Sequence, residues 1–241
     1  MSTRVPLWFV CAPFPKCGAS TFTRLLVDYH LFNTRSLSLF DTDIHGQTLE
    51  NLFPDLAQTI DLSTTLGQIA LFDRLLEPGP QARIVEICAP AHQLFLSQAR
   101  DIGFFEEAEK NHFEPVILFI SNGARVAIEA GTRMQSIWRR VPVIPVVNEG
   151  FVRLGTKIND HLDAFPSGRS FQVPLLEPLL KNAIATPGFS LSGFLTKPPA
   201  VDEMSLVVRA DLRSWITRMF TQFRSHELRK ALDESNYLLK S

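Results

Sequence analysis

The stretch Leu7-Trp8-Phe9-Val10-Cys11-Ala12-Pro13-Phe14-Pro15-Lys16-Cys17-Gly18-Ala19-Ser20-Thr21-Phe22-Thr23-Arg24-Leu25-Leu26 decides the fold. It opens with an unbroken apolar run of strand length, continues through Pro, Gly and small residues, and ends with helical composition. A strand that turns tightly into a helix start is the setting an anion site needs, because the first helical amides point out of the loop unpaired. Against the phosphate-loop pattern G-x-x-x-x-G-K-[ST] the length is kept. Gly18 falls on the second Gly and Ser20 on the hydroxyl that would hold magnesium, while Pro13 and Ala19 stand where the first Gly and the Lys belong. Losing the Lys removes a point charge between the β- and γ-phosphates. Pro13, Phe14 and Pro15 stiffen the turn, and the two prolines remove amide donors. Taken alone, the stretch suits equally well any α/β domain with Gly and Ser at a turn.

Working outward, apolar runs of the same kind recur at residues 36–40, 83–88, 115–120, 141–147 and 171–175. Most are nearly continuous rather than alternating, as strands covered on both faces of a parallel sheet are. Helix-length segments lie between them at 21–30, 91–110, 124–139 and 152–165. That alternation predicts βαβ units, hence a doubly wound, mostly parallel α/β sheet with helices on both faces. Residues 51–81 read less clearly, with a helix-like patch at 66–76 before the turn Glu77-Pro78-Gly79-Pro80. Residues 187–199 read as a loop. The final segment, 202–240, carries Leu212, Trp215, Ile216, Met219, Phe220 and Phe223 at helical spacing, the apolar stripe of a C-terminal amphipathic helix. Its arginines suit solvent over a sheet-covering helix, or a membrane-surface or partner helix. The expectation is one domain over 1–241 with 202–240 as a helical extension.

Composition narrows the classes. In 241 residues, 45% hydrophobic and 20% charged, there is ample material for a packed core, which excludes a disordered chain. Lys and Arg number 24 against 25 Asp and Glu, so net charge does not indicate DNA or an acidic membrane surface; only local patches could. Cys11, Cys17 and Cys88 show no metal spacing and read as thiols in a reducing compartment. Cys17, at a helix start, is expected to have a lowered pKa, although a small residue filling a tight loop is the plainer role. The six histidines are dispersed, and no nucleophile elbow is present. With no signal-like start and no run of 18 apolar residues, a cytoplasmic protein is expected.

Three further segments join the first loop. Residues 36–40 run into Asp41-Thr42-Asp43-Ile44-His45-Gly46-Gln47-Thr48-Leu49 and then Leu52-Phe53-Pro54; residues 83–90 read Arg-Ile-Val-Glu86-Ile-Cys-Ala-Pro; residues 143–148 end a strand in Asn148. In this order, over about three fifths of the chain, the four segments resemble the ParA/MinD group of P-loop ATPases. The resemblance implies a P-loop NTPase-like fold, with Lys16, Cys17, Gly18, Ala19, Ser20 and Thr21 around phosphate and Asn148 at the base. It also implies Asp43 as the catalytic residue orienting water, and Ser20, Asp41 and Glu86 near magnesium. Lys16 lies two residues beyond the extra signature Lys of that group. Asp41 and Asp43 equally suit an Asx turn that caps a helix, and Glu86 a strand-end carboxylate without a ligand. Gly18-Ala19-Ser20-Thr21 also resembles the loop of the CpaE/TadZ pilus-assembly branch, where Ala replaces Lys. The cofactors implied are ATP and Mg2+, or none where the altered loop has lost them. The functions implied are a positioning, partitioning or assembly adaptor with weak or absent hydrolysis, or an active ATP-dependent dimerising switch for plasmid, chromosome, pilus or conjugation complexes, or a small-molecule kinase. Protein partners and a homodimer follow from the resemblance.

Overall fold

The computed structural model describes residues 4–122, 124–151, 169–186, 188–200 and 202–238, except for the side chains of 234 and 236–238. The chain divides into two compact units, Met1–Leu175 and Leu176–Ser241. The boundary falls ahead of residue 202, where the sequence places its helical extension.

The first unit is built on one sheet. Its strands are β1 (Val5–Cys11), β2 (Leu37–Asp41), β3 (Ala57–Thr59), β4 (Ala82–Ile87), β5 (Phe113–Ser121), β6 (Val143–Asn148) and β7 (Phe171–Val173). They run in the order β3-β2-β4-β1-β5-β6-β7, every neighbouring pair parallel. Up to β4 the chain builds on one side of β1, and from β5 onward on the other. This is the doubly wound P-loop NTPase-like arrangement, with its crevice at the carboxyl ends of the central strands.

Alternation along β1 shows how both faces are covered. Leu7, Phe9 and Cys11 enter an apolar core shared with α3 (Thr65–Leu76), α4 (His92–Asp101), α5 (Phe104–Lys110) and α6 (Arg125–Ile137). The Phe9 ring lies 5.2 Å from Phe95 and 5.5 Å from Phe105, and Phe105 meets Trp138 edge-on at 4.7 Å. Trp8 and Val10 point the opposite way and are buried as well, on the side of α1 (Ala19–Phe32), whose Phe22, Leu25, Leu26 and Tyr29 are buried. A short α2 (Thr48–Leu52) follows β2.

Three segments differ from the sequence reading. Residues 91–110 are not one helix, because Gly103 adopts φ 63° and separates α4 from α5. The unclear region contains β3, besides the helix at Thr65–Leu76. The predicted loop at 187–199 contains a helix at Leu191–Thr196, started by the Ser190 hydroxyl accepting the Gly193 amide. The helix expected over 152–165 lies outside the described residues.

The second unit consists of α7 (Pro178–Ile184), α8 (Leu191–Thr196) and α9 (Leu206–Leu238). The stripe Leu212, Trp215, Ile216, Met219, Phe220 and Phe223 is the buried side of α9, which packs on α7 and α8 within this unit. Among the described residues no helix is long and apolar enough to cross a membrane.

Candidate functional site

The loop between β1 and α1 carries two left-handed residues, Lys16 at φ 58° and Gly18 at φ 93°. Left-handed residues in a tight loop turn backbone amides to one side, the concavity that anions occupy. Here that space faces a sulfur. Cys17 Sγ is buried, donates to the Phe14 carbonyl at 3.0 Å, and is met by the amides of Cys17 and Ala19. Burial pushes the thiol pKa up, the two amides pull it down, and the Glu86 charge adds to the rise. The net direction is upward, so the lowered pKa expected for a helix-start cysteine is not found; desolvation outweighs the helix end.

Gly18 has no room for a side chain. A Cβ there would sit 2.1 Å from Asn148 Nδ2 and 3.3 Å from Phe151 Cε2. Asn148, at the end of β6, donates to the Cys17 carbonyl at 3.5 Å and accepts the Gly150 amide at 3.1 Å. Its side chain therefore holds the phosphate-type loop by the backbone.

Beside the loop, the register aligns Val10, Glu86 and Asp41 across β1, β4 and β2, so both carboxyls sit on the α1 side of the sheet. Ser20, in the first turn of α1, donates to Glu86 Oε1 at 2.6 Å; the buried Oε2 makes no well-formed hydrogen bond, and the Thr23 hydroxyl is the other donor near the carboxyl. Burial is the main reason the Glu86 pKa rises to about 7; the Ser20 and Thr23 hydroxyls oppose the rise, and the charges of Asp41 and Asp43 reinforce it.

Asp41 is buried and uses both oxygens on backbone. Oδ1 accepts the Asp43 amide at 2.9 Å and Oδ2 the Leu49 amide at 3.0 Å, at the start of α2. Burial raises its pKa against those two amides. Asp43 Oδ1 accepts the amides of His45 and Gly46 at 3.2 and 3.0 Å, an Asx-type turn. The turn places Asp43 at the rim, half-buried, while Lys16 is exposed.

The structure thus brings Cys17 and Gly18 together with Asn148, and Ser20 with Glu86, whose strand neighbour is Asp41. Thr42, which the sequence reading passed over, ties the two strand ends. Its hydroxyl donates to the Glu86 carbonyl at 3.1 Å and accepts the Cys88 amide at 2.9 Å. A Thr between two strand-end aspartates was the available signal. Among the described residues no group of three or more His, Cys, Asp or Glu side chains is arranged to hold a metal. Ser20 and Glu86, whose Oε2 is buried and unpaired, are the oxygen side chains that would meet an ion held by this loop once the bond between them gives way.

No protein-family model and no curated protein matches this chain. Solved structures similar to it include the MinD cell division protein of Aquifex aeolicus, at 11% identity over 92% of this chain and 98% of that one, TM-score 0.47. Another is a putative plasmid partition protein of Borrelia burgdorferi bound to AMPPNP, at 12% identity over 74% and 90%, TM-score 0.42. A third is FlhF complexed with GMPPNP and Mg2+, at 10% identity over 73% and 67%, TM-score 0.40. Similarity this remote says nothing of what this chain binds.

Proposed function

We propose that this chain is a ParA/MinD-like positioning, partitioning or assembly adaptor with weak or no ATP hydrolysis. The observation that carries this reading is the Ser20–Glu86 hydrogen bond of 2.6 Å, made to a carboxyl whose burial pushes its pKa up to about 7, beside a position where Ala19 replaces the loop lysine. Phosphoryl transfer needs fixed positive charge on the terminal phosphate, and removing one such contact commonly costs orders of magnitude in rate. Here the only loop cation is the exposed Lys16, and Ala19 offers no charge in place of the lysine.

In this reading the Cys17 sulfur gives up the Cys17 and Ala19 amides and the backbone of Lys16 to Thr21 receives phosphate, with Asn148 bracing the loop and Ser20 and Glu86 flanking magnesium. The ion would supply charge neutralisation. The chain acts by binding protein partners, as a homodimer in the cytoplasm. Retention of Gly18 at the start of α1 and of the Ser20–Glu86 contact beside it favours a second reading, an active dimerising switch, in which Asp43 orients water.

Calorimetric titration with ATP, ADP and GTP in magnesium, paired with a phosphate-release assay, separates the two. The adaptor reading expects no phosphate release above background, and at least tenfold tighter ATP binding in Ala19→Lys as the bridging charge returns. Repeated turnover by the native chain, abolished in Ser20→Ala and Asp43→Asn, overturns the adaptor reading in favour of the switch.

A further inference from the structure

Away from the loop, two cavities of about 260 and 230 Å3 lie side by side along α4, α5 and α6 and share Arg100, Ile137 and Trp138 in their walls. The floor is apolar. Trp138 and Met134 are buried there, Leu96 is half-buried, and Ile137 leaves 50% of its surface open at the lip. The rim is basic, with Arg100, Arg133, Arg139 and Arg140 against only Glu106 and Glu109. Arg133, Arg139 and Arg140 make no ion pair among the described residues, and the Arg100–Asp101 pair, at 3.5 Å, is solvent-exposed and weak. At one end His92 presents a buried Nε2 with no hydrogen-bond partner.

We propose that this α4–α6 groove docks an acidic amphipathic helix of a partner protein, its apolar face over Trp138, Met134 and Ile137 and its carboxylates on the arginine rim. Charge and shape decide the partner class. A helix-in-groove partner offers apolar anchors every three or four residues and charged flanks, which matches an apolar floor inside a basic rim. Nucleic acid offers phosphates but nothing to fill the floor, and a lipid surface would need a protruding apolar edge rather than a concave one. The 13-residue α6 is roughly 20 Å long, enough to lie along about four turns of partner helix. Specificity comes from the rim and affinity from the floor. The groove is built from residues the nucleotide loop does not use, so it stands whether or not ATP binds.

The test uses the full chain without nucleotide. A fluorescent 16-residue designed peptide with Leu on one helical face and Glu on the rest is titrated in parallel with three controls. These are a scrambled peptide of equal charge, phosphatidylserine vesicles, and duplex DNA. The proposal expects saturable binding of the amphipathic peptide, at least tenfold weaker for the scramble. Arg133→Glu with Arg139→Glu should weaken it about tenfold at low salt, an effect that fades at high salt. Ile137→Glu, on a half-open side chain that costs the core little, should weaken it in any salt. Equal binding of the scramble, no peptide binding at millimolar concentration, or charge-reversal-sensitive binding of vesicles or DNA alone would each overturn the proposal.

Discussion

Replacing Gly18 with Ala tests the geometry of the loop directly. The alanine would have to hold φ 93°, a left-handed conformation costing roughly 1–2 kcal/mol for an L-residue. Its Cβ would also stand 2.1 Å from Asn148 Nδ2, so Asn148 must move and loosen its bonds to Cys17 and Gly150. Weakening buried hydrogen bonds adds roughly 1–2 kcal/mol, for a total of about 3 kcal/mol. In an Asn148→Ala background that obstruction is gone and only the backbone cost and the 3.3 Å approach to Phe151 remain, so the same substitution should cost about 1–2 kcal/mol. Equilibrium urea unfolding, followed by hydrogen exchange of β1 peptides, gives all four corners of the cycle. With a slope of about 3 kcal/mol per molar, Gly18→Ala should lower the midpoint by about 1 M, and by roughly half of that when Asn148 is absent. An identical cost in both backgrounds would refute the reasoning, because Asn148 could not then be what occupies the space.

Glu86 provides a pH test. Its folded pKa of about 7 lies above the ordinary 4.5, so the fold favours the protonated carboxyl. The cost of ionising it is absent below pH 4.5 and complete above 7, so stability is lost as pH rises through that window. At about 1.4 kcal/mol per unit the loss is about 3 kcal/mol. Glu86→Gln should abolish this slope, gaining on the native chain between pH 5 and 8, and a parallel pair of pH profiles would contradict the burial argument. Thr42→Val should cost about 1–3 kcal/mol in urea unfolding, since it strands the Cys88 amide that the hydroxyl accepts; a neutral result would mean water replaces it. Phe95→Ala, at a fully buried ring against Phe9 and Phe72, should cost about 3–5 kcal/mol, and a loss below 1 kcal/mol would show that the aromatic cluster repacks.

Sequence pattern served well wherever an element is both long and buried. β1, β4, β5 and β6 are mostly apolar runs, broken by Arg83 and Glu86 in β4, Glu114 in β5 and the terminal Asn148 in β6, because helices cover both faces, and each appears within two residues of where it was read. β3 escaped notice because Ala57-Gln58-Thr59 is too short to show a period. The break between α4 and α5 was hidden because Ile102, Gly103 and Phe104 continue an apolar pattern while only Gly103 changes backbone sign. In the site, order along the chain was enough to place Gly18 and Ser20 at the start of α1 and Asp41, Glu86 and Asn148 at or beside strand ends. The raised pKa of Glu86 and the direction of the Cys17 sulfur were not legible, because both depend on how much water the folded neighbours leave. The same applies to Asp41, whose residue type suits a metal and whose two oxygens hold amides.

The sheet also bears on how copies of this chain could meet. The outermost of its described strands, β3 and β7, are the shortest, three residues each, while the strands between them run from five to nine. A three-residue margin exposes so few free backbone groups that it makes a poor template for a strand from another molecule. Tapering both margins is a guard against edge-to-edge growth into fibrils, and it directs any productive self-association toward helices and loops, where side chains rather than the peptide backbone choose the partner.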